Sequence, residues 1–141
     1  MVDDGRGGQE PRFTFNGCLN TQDDAYKVLQ NIASVFRAVT FWSGSSLSVS
    51  ADMPSDPVYV YTPANVLNGK FTYQSTPKKQ RFTTALVTWN DPSDFYRSKQ
   101  HYVQHDGGLA RYGIVPTSIT AMGCTSEAQA HRAGMWALES A

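Results

Sequence analysis

Apolar residues recur along this chain in two periods, every second position in some stretches and every third or fourth in others. That pattern predicts strands interrupted by two helices. Arg12-Phe13-Thr14-Phe15 alternates polar and aromatic before the Asn16-Gly17 turn signal, which reads as a short strand. Thr21-Gln22-Asp23-Asp24 then offers a capping hydroxyl followed by carboxylates where a helix dipole favours them. Ala25, Val28, Leu29, Ile32, Val35 and Phe36 follow at helical spacing, so a first helix is expected from about Thr21 to Ala38. Its apolar face needs a partner. Val39-Thr40-Phe41-Trp42, Ser43-Gly44-Ser45-Ser46 and Leu47-Ser48-Val49-Ser50 read as a hairpin able to receive it.

Two prolines make Asp52 to Pro57 a turn-rich link. Beyond it, Val58-Tyr59-Val60-Tyr61 and Lys70-Phe71-Thr72-Tyr73-Gln74 read as short strands, separated by a loop that ends in Asn68-Gly69. Phe82 to Trp89 is expected to be the longest strand, closed by the turn signal Asn90-Asp91-Pro92. Phe95 to Gln104 fits strand or helix, and its Phe95, Tyr96, Tyr102 and Val103 favour strand. His105-Asp106-Gly107-Gly108 reads as a turn, and Gly113 to Ala121 holds one more strand. Ser126-Glu127-Ala128-Gln129 has the spacing of a capping box and opens a second helix, Ser126 to Ser140. The class is α+β with antiparallel pairing. Residues 1–11, polar and glycine-rich, read as a mobile lead, and residues 12–141 as one domain with two possible lobes. These are a helix plus hairpin over 12–57 and a β-rich part with the C-terminal helix over 58–141.

The chemistry is sparse. Twelve basic and twelve acidic residues cancel, which gives no support to a nucleic-acid or anionic-membrane partner, since both require a concentrated basic surface. Lys78-Lys79-Gln80-Arg81 is the one basic cluster, and it reads as a solvated turn. No apolar run approaches the roughly 20 residues that span a bilayer, and the start lacks the shape of a secretion signal. A soluble chain made in a reducing cytoplasm is expected, with Cys18 and Cys124 as free thiols, though the sequence leaves their pairing open.

His101, His105 and Asp106 lie close in sequence, but in no recognised ligand spacing, so they read as surface or turn residues. Cys124 and His131 form a nucleophile and base only if the fold brings them together. Asp52, Asp56, Asp91, Asp94 and Asp106 mostly neighbour Pro or Gly, where Asp bonds its own backbone in turns. No calcium loop or phosphate loop occurs. The expectation is therefore no catalytic, cofactor-binding or metal-binding residues. The many aromatics read first as core, although an excess of tyrosine also suits a protein interface.

Nine segments, in order, carry a resemblance. They are Arg12-Phe13-Thr14-Phe15-Asn16-Gly17, Gln22-Asp23-Asp24-Ala25-Tyr26-Lys27-Val28-Leu29, and Ile32-Ala33-Ser34-Val35-Phe36-Arg37. Next come Ala51-Asp52-Met53-Pro54-Ser55-Asp56-Pro57, Tyr61-Thr62-Pro63-Ala64-Asn65-Val66, and Gly69-Lys70-Phe71-Thr72-Tyr73. The last are Val87-Thr88-Trp89-Asn90-Asp91-Pro92, Arg111-Tyr112-Gly113, and Gly123-Cys124-Thr125-Ser126-Glu127-Ala128-Gln129-Ala130-His131-Arg132.

Together they resemble the central part of the tail-tip attachment (host specificity) proteins J of lambda-like phages. The resemblance implies a structural, non-enzymatic role at the distal end of a phage or prophage tail. It implies contacts with other tail-tip and tail-tube proteins, and a homotrimer in the full-length protein. This chain has a fraction of the family's usual length and lacks its receptor-binding end and N-terminal hub region. Receptor binding is accordingly not carried over, and an excised domain or truncated prophage product is expected. A carbohydrate-binding module or a cell-wall hydrolase are the competing readings, the latter lacking the paired carboxylates or metal cluster that it needs.

Overall fold

A computed structural model describes residues 1–18 and 24–141 of the chain. Residues 1–11, expected as a mobile lead, contain a small hairpin of β1 (Val2–Asp3) and β2 (Gln9–Glu10). It is tied to the far end of the chain. Arg132 donates to Glu10 at 2.6 Å, Ser126 Oγ donates to Glu10 at 2.7 Å, and Arg6 pairs with Glu127 at 3.2 Å. None of these partners is within a hundred residues in sequence, so no local pattern announces them.

Helix α1 runs from Ala25 to Val35, shorter than the periodicity suggests at both ends. At its start Asp24 is the cap, accepting from the Tyr26 N–H at 2.8 Å, and the anticipated Thr21 cap lies outside the described residues. At its end Arg37 takes a left-handed φ of 59° and turns the chain directly into β3 (Ala38–Ser43). That strand pairs antiparallel with β4 (Ser46–Ala51) in the anticipated hairpin, with Thr40 opposite Val49 and Trp42 opposite Leu47. The hairpin receives the helix as its pattern predicts: Tyr26 stacks on Trp42 and donates to the Thr40 carbonyl.

The third sheet among the described residues is three-stranded, in the order β6-β5-β7. Strand β5 (Thr84–Asp91) pairs antiparallel with β6 (Arg97–Gln104) and parallel with β7 (Pro116–Thr120). The parallel pair corrects the all-antiparallel expectation, and its cause is a third helix. His105-Asp106-Gly107-Gly108 does not merely turn. His105 Nδ1 accepts the Gly108 N–H at 2.9 Å and so caps α2 (Asp106–Tyr112), a bond that offsets the poor helix propensity of two glycines. β6 ends beside the beginning of β5, with Gln104 opposite Thr84, and α2 carries the chain across that same end to the other edge of β5, so β7 runs in the direction of β5. Pro116, with no N–H, opens this edge strand, where it costs no ladder bond.

Helix α3 (Glu127–Glu139) covers one face of the sheet, capped by Ser126 as the sequence predicts. Ala85, Val87 and Trp89 of β5 and Val103 of β6 pack on its Ala130 and Leu138, with Cys124 beneath the cap. The contact is close because of Gly134. A Cβ there would stand 2.7 Å from Val103 Cγ2 and 2.9 Å from Val87 Cγ2.

Three expected strands are absent. Arg12 to Gly17 is irregular and, among the described residues, pairs with no strand, while Val58–Tyr61 and Lys70–Gln74 lie as irregular, exposed chain. Alternation makes a strand possible, but a ladder also requires a partner edge. Around 58–74 the polar bonds are local instead, with the Asn65 side chain holding the Thr62 N–H and the Val60 carbonyl.

Candidate functional site

The two histidines that sequence proximity groups together are separated by the fold. His105 is consumed in the α2 cap, and Asp106 accepts from Gln104 Nε2. His101 on β6 instead meets His131 on α3, Nε2 to Nδ1 at 3.2 Å, with the rings edge to face. Its other nitrogen lies 3.2 Å from Glu127, whose second oxygen holds Arg6. Burial, then the charges of His101 and Arg132, pushes the His131 pKa below the ordinary histidine value. Half of this cluster was legible: Glu127 and His131 are four apart on one helix face. That β6 lies alongside was not. Among the described residues no group of three His, Cys, Asp or Glu side chains is placed to hold a metal ion.

Cys124 is fully buried, and its thiol donates to the Ser126 carbonyl at 3.1 Å rather than to His131. Burial pushes its pKa up, which disfavours the thiolate that a nucleophile requires. Cys18 is exposed and both thiols are free.

Of the aspartates, Asp91 is the most engaged. It ends β5, and its carboxylate takes the Ser93 N–H at 2.9 Å, the Ser93 hydroxyl at 2.7 Å and the Lys99 ammonium at 2.5 Å. The Lys99 bond first, and then the Ser93 bonds, hold its pKa down at about 2. Asp94 pairs with Arg97 at 3.5 Å across the same corner. The left-handed residues Phe95 and Tyr96 follow, so Asn90-Asp91-Pro92 does end the long strand and aim the next. These are structural carboxylates, each engaged in holding a turn.

Two surface features remain. One is a cavity of about 200 Å³ where the C-terminal end of α1, the Arg12-Phe13 segment, the end of β7 and α3 meet. Phe13, Val35, Ala121, Met122, Ala133 and Trp136 contribute apolar wall, while Arg12, Arg37 and Arg132 also line it. The Arg37 guanidinium lies between the Phe13 ring, at 5.4 Å, and the Trp136 ring, at 5.3 Å, and donates to the Arg132 carbonyl.

The other feature is exposed apolar surface. Val58 is 97% exposed and Tyr73 89%, with Tyr59, Val60 and Tyr61 also open. Val39, Phe41 and Trp42 add to it on the hairpin. The core reading of the aromatics therefore holds for Trp89 and fails for these. Apolar surface on this scale marks contact with another molecule.

Comparison with known proteins places the chain in a family. A family model described as "Putative phage tail protein" matches residues 24–141. The chain belongs to that phage tail family. Over 98% of its length it is also similar to proteins named tip attachment protein J. The one from Escherichia phage SECphi27 is 41% identical over 138 residues, and that from Escherichia phage SECphi4 is 36% identical over 139 residues. The chain spans 12% of the length of each of these relatives. No helix among the described residues is long and apolar enough to cross a membrane.

Proposed function

We propose that this chain is a non-enzymatic assembly module of a phage tail tip, located in the virion tail and docked on other tail-tip and tail-tube proteins. The observation that carries the reading is the end-to-end similarity to two tip attachment proteins J. The exposed aromatic segment 58–73 and the open hairpin face supply surface for such contacts. The catalytic alternative has little to stand on, because the histidines, the buried thiol, Asp91, Asp94 and Asp106 are engaged with other side chains or backbone groups of the fold. The balanced charge argues against a nucleic-acid partner.

The reading extends to the organisation of the chain and to its assembly. Residues 12–57 and 58–141 act as two lobes of one hub-type domain, and the longer protein forms a homotrimer. Co-expression with the tail-tip and tail-tube proteins of the same phage, followed by affinity purification of the chain, tests it. Recovery of a tail protein in stoichiometric amount is expected. A chain that purifies alone in the full-length context as well overturns the reading, and clearing in a cell-wall zymogram overturns its non-enzymatic part.

A further inference from the structure

The cavity between α1 and α3 is apolar within and cationic at its border, a combination that the packing of the domain does not require. Three guanidiniums border it. Arg132 is neutralised by Glu10, but among the described residues Arg12 and Arg37 pair with no carboxylate. Asp52 and Glu139 act on Arg37 only through space. Arg37 is moreover half-buried, and its backbone sits at a φ of 59°, a region that non-glycine residues seldom occupy. The fold thus holds a desolvated cation against two aromatic faces at the border of an apolar hole. Burying a charge in this way is unfavourable unless something compensates it, and aromatic faces and one carbonyl do so only in part.

We propose that this cavity is a docking site for an acidic-apolar peptide segment of a neighbouring protein, in which one large apolar side chain enters the cavity and a flanking carboxylate pairs with Arg37 and Arg12. Size selects the occupant. An apolar cavity of about 150 Å³ holds a benzene ring, so about 200 Å³ accepts one aromatic or branched side chain. It falls below the roughly 300 Å³ at which small-molecule pockets begin, which disfavours a long-chain fatty acid. Charge selects the flanking group, because a guanidinium fork matches a carboxylate and the pair is stronger where water is partly excluded. The partner's being a protein rests on the assembly reading above, whereas the chemistry of the site does not.

The test uses the whole 141-residue chain, isotope-labelled for NMR, with two capped tripeptides differing only in charge, acetyl-Glu-Phe-Glu-amide and acetyl-Gln-Phe-Gln-amide. The acidic peptide is expected to shift the signals of Phe13, Ala121, Ala133 and Trp136, and to bind about tenfold more tightly than the neutral one. Arg37→Gln should remove that preference. Because Arg37→Gln also disturbs packing, Arg12→Gln at the more exposed position serves as a second variant and should weaken the preference without loss of fold. Equal binding of the two peptides, shifts located elsewhere, or no binding at millimolar peptide overturns the proposal. Decanoate that displaces the acidic peptide at lower concentration than the peptide itself overturns it in favour of a free amphiphile. A chain that ignores both peptides yet still co-purifies with tail proteins refutes this site and leaves the assembly reading standing. Peptide binding without any tail partner does the reverse.

Discussion

The carboxamide of Gln129 grips the backbone of Thr14 from 115 residues away. Its Oε1 accepts the Thr14 N–H at 3.2 Å and the Thr14 hydroxyl at 2.7 Å, and its Nε2 donates to the Thr14 carbonyl at 3.0 Å. In a capping box this side chain would turn back to the N-cap backbone. Here only the Ser126 half of the box forms, and Gln129 does for Arg12–Gly17 what a neighbouring strand would otherwise do. That is why an alternating segment lies beside the core without belonging to a sheet. Gln129 is itself 6% exposed, and among the described residues its carboxamide bonds to Thr14 alone.

Gln129→Ala leaves the Thr14 N–H and carbonyl facing a partly buried space without partners. A loss of about 2–3 kcal/mol is expected in urea unfolding, from the desolvation cost of unpaired groups. A change below about 0.5 kcal/mol would mean that water replaces the carboxamide freely and that the N-terminal segment adds little to the fold.

Trp89 lies under α3 in the middle of the long strand, and truncation to Ala is expected to cost about 3–5 kcal/mol. Denaturant midpoints at matched m-values measure it. A loss under about 1 kcal/mol would show that the helix-on-sheet core is not what holds the domain together.

Gly134→Ala sets two effects against each other. Helix propensity favours Ala by about 1 kcal/mol. The added methyl would press on Val87 and Val103, both β-branched and held in paired strands, and overpacking of that kind costs about 1–3 kcal/mol. The steric effect should win, so the variant melts lower than the parent by calorimetry. A rise in melting temperature would show that α3 shifts away at little cost.

Asp91 makes the fold sensitive to acid. Its folded pKa is depressed to about 2 by Lys99 and Ser93, so its contribution is present above the unfolded value and is lost as pH falls towards 2. Melting temperatures from pH 5 down to pH 2.5 should drop more steeply for the parent than for Asp91→Asn. Parallel curves would place the acid-sensitive group elsewhere.

His131 acts in the same direction at higher pH. Burial, His101 and Arg132 depress its pKa, so protonation is opposed in the folded state and stability falls as pH drops below about 6.5. His131→Gln should flatten the melting curve between pH 7 and pH 5.5. An unchanged slope would mean that protonating His131 costs the fold nothing.

What the sequence by itself determined is whatever depends on neighbours within a few residues. The Ser126 cap, the hairpin from Val39 to Ser50, the corner at Asn90-Asp91-Pro92 and the long strand through Trp89 all follow from turn chemistry and period, which act locally. The nine ordered segments likewise placed the chain in its family.

Tertiary structure decided the rest. Whether Phe13-Thr14-Phe15, Val58–Tyr61 or Lys70–Gln74 becomes a strand depends on finding an edge to pair with, and alternation carries no information about edges. The parallel placement of β7, the meeting of His101 with His131 and the seat of Arg37 between Phe13 and Trp136 each join residues distant in sequence. Such contacts form only after the chain has closed its long loops, so no local pattern along it encodes them.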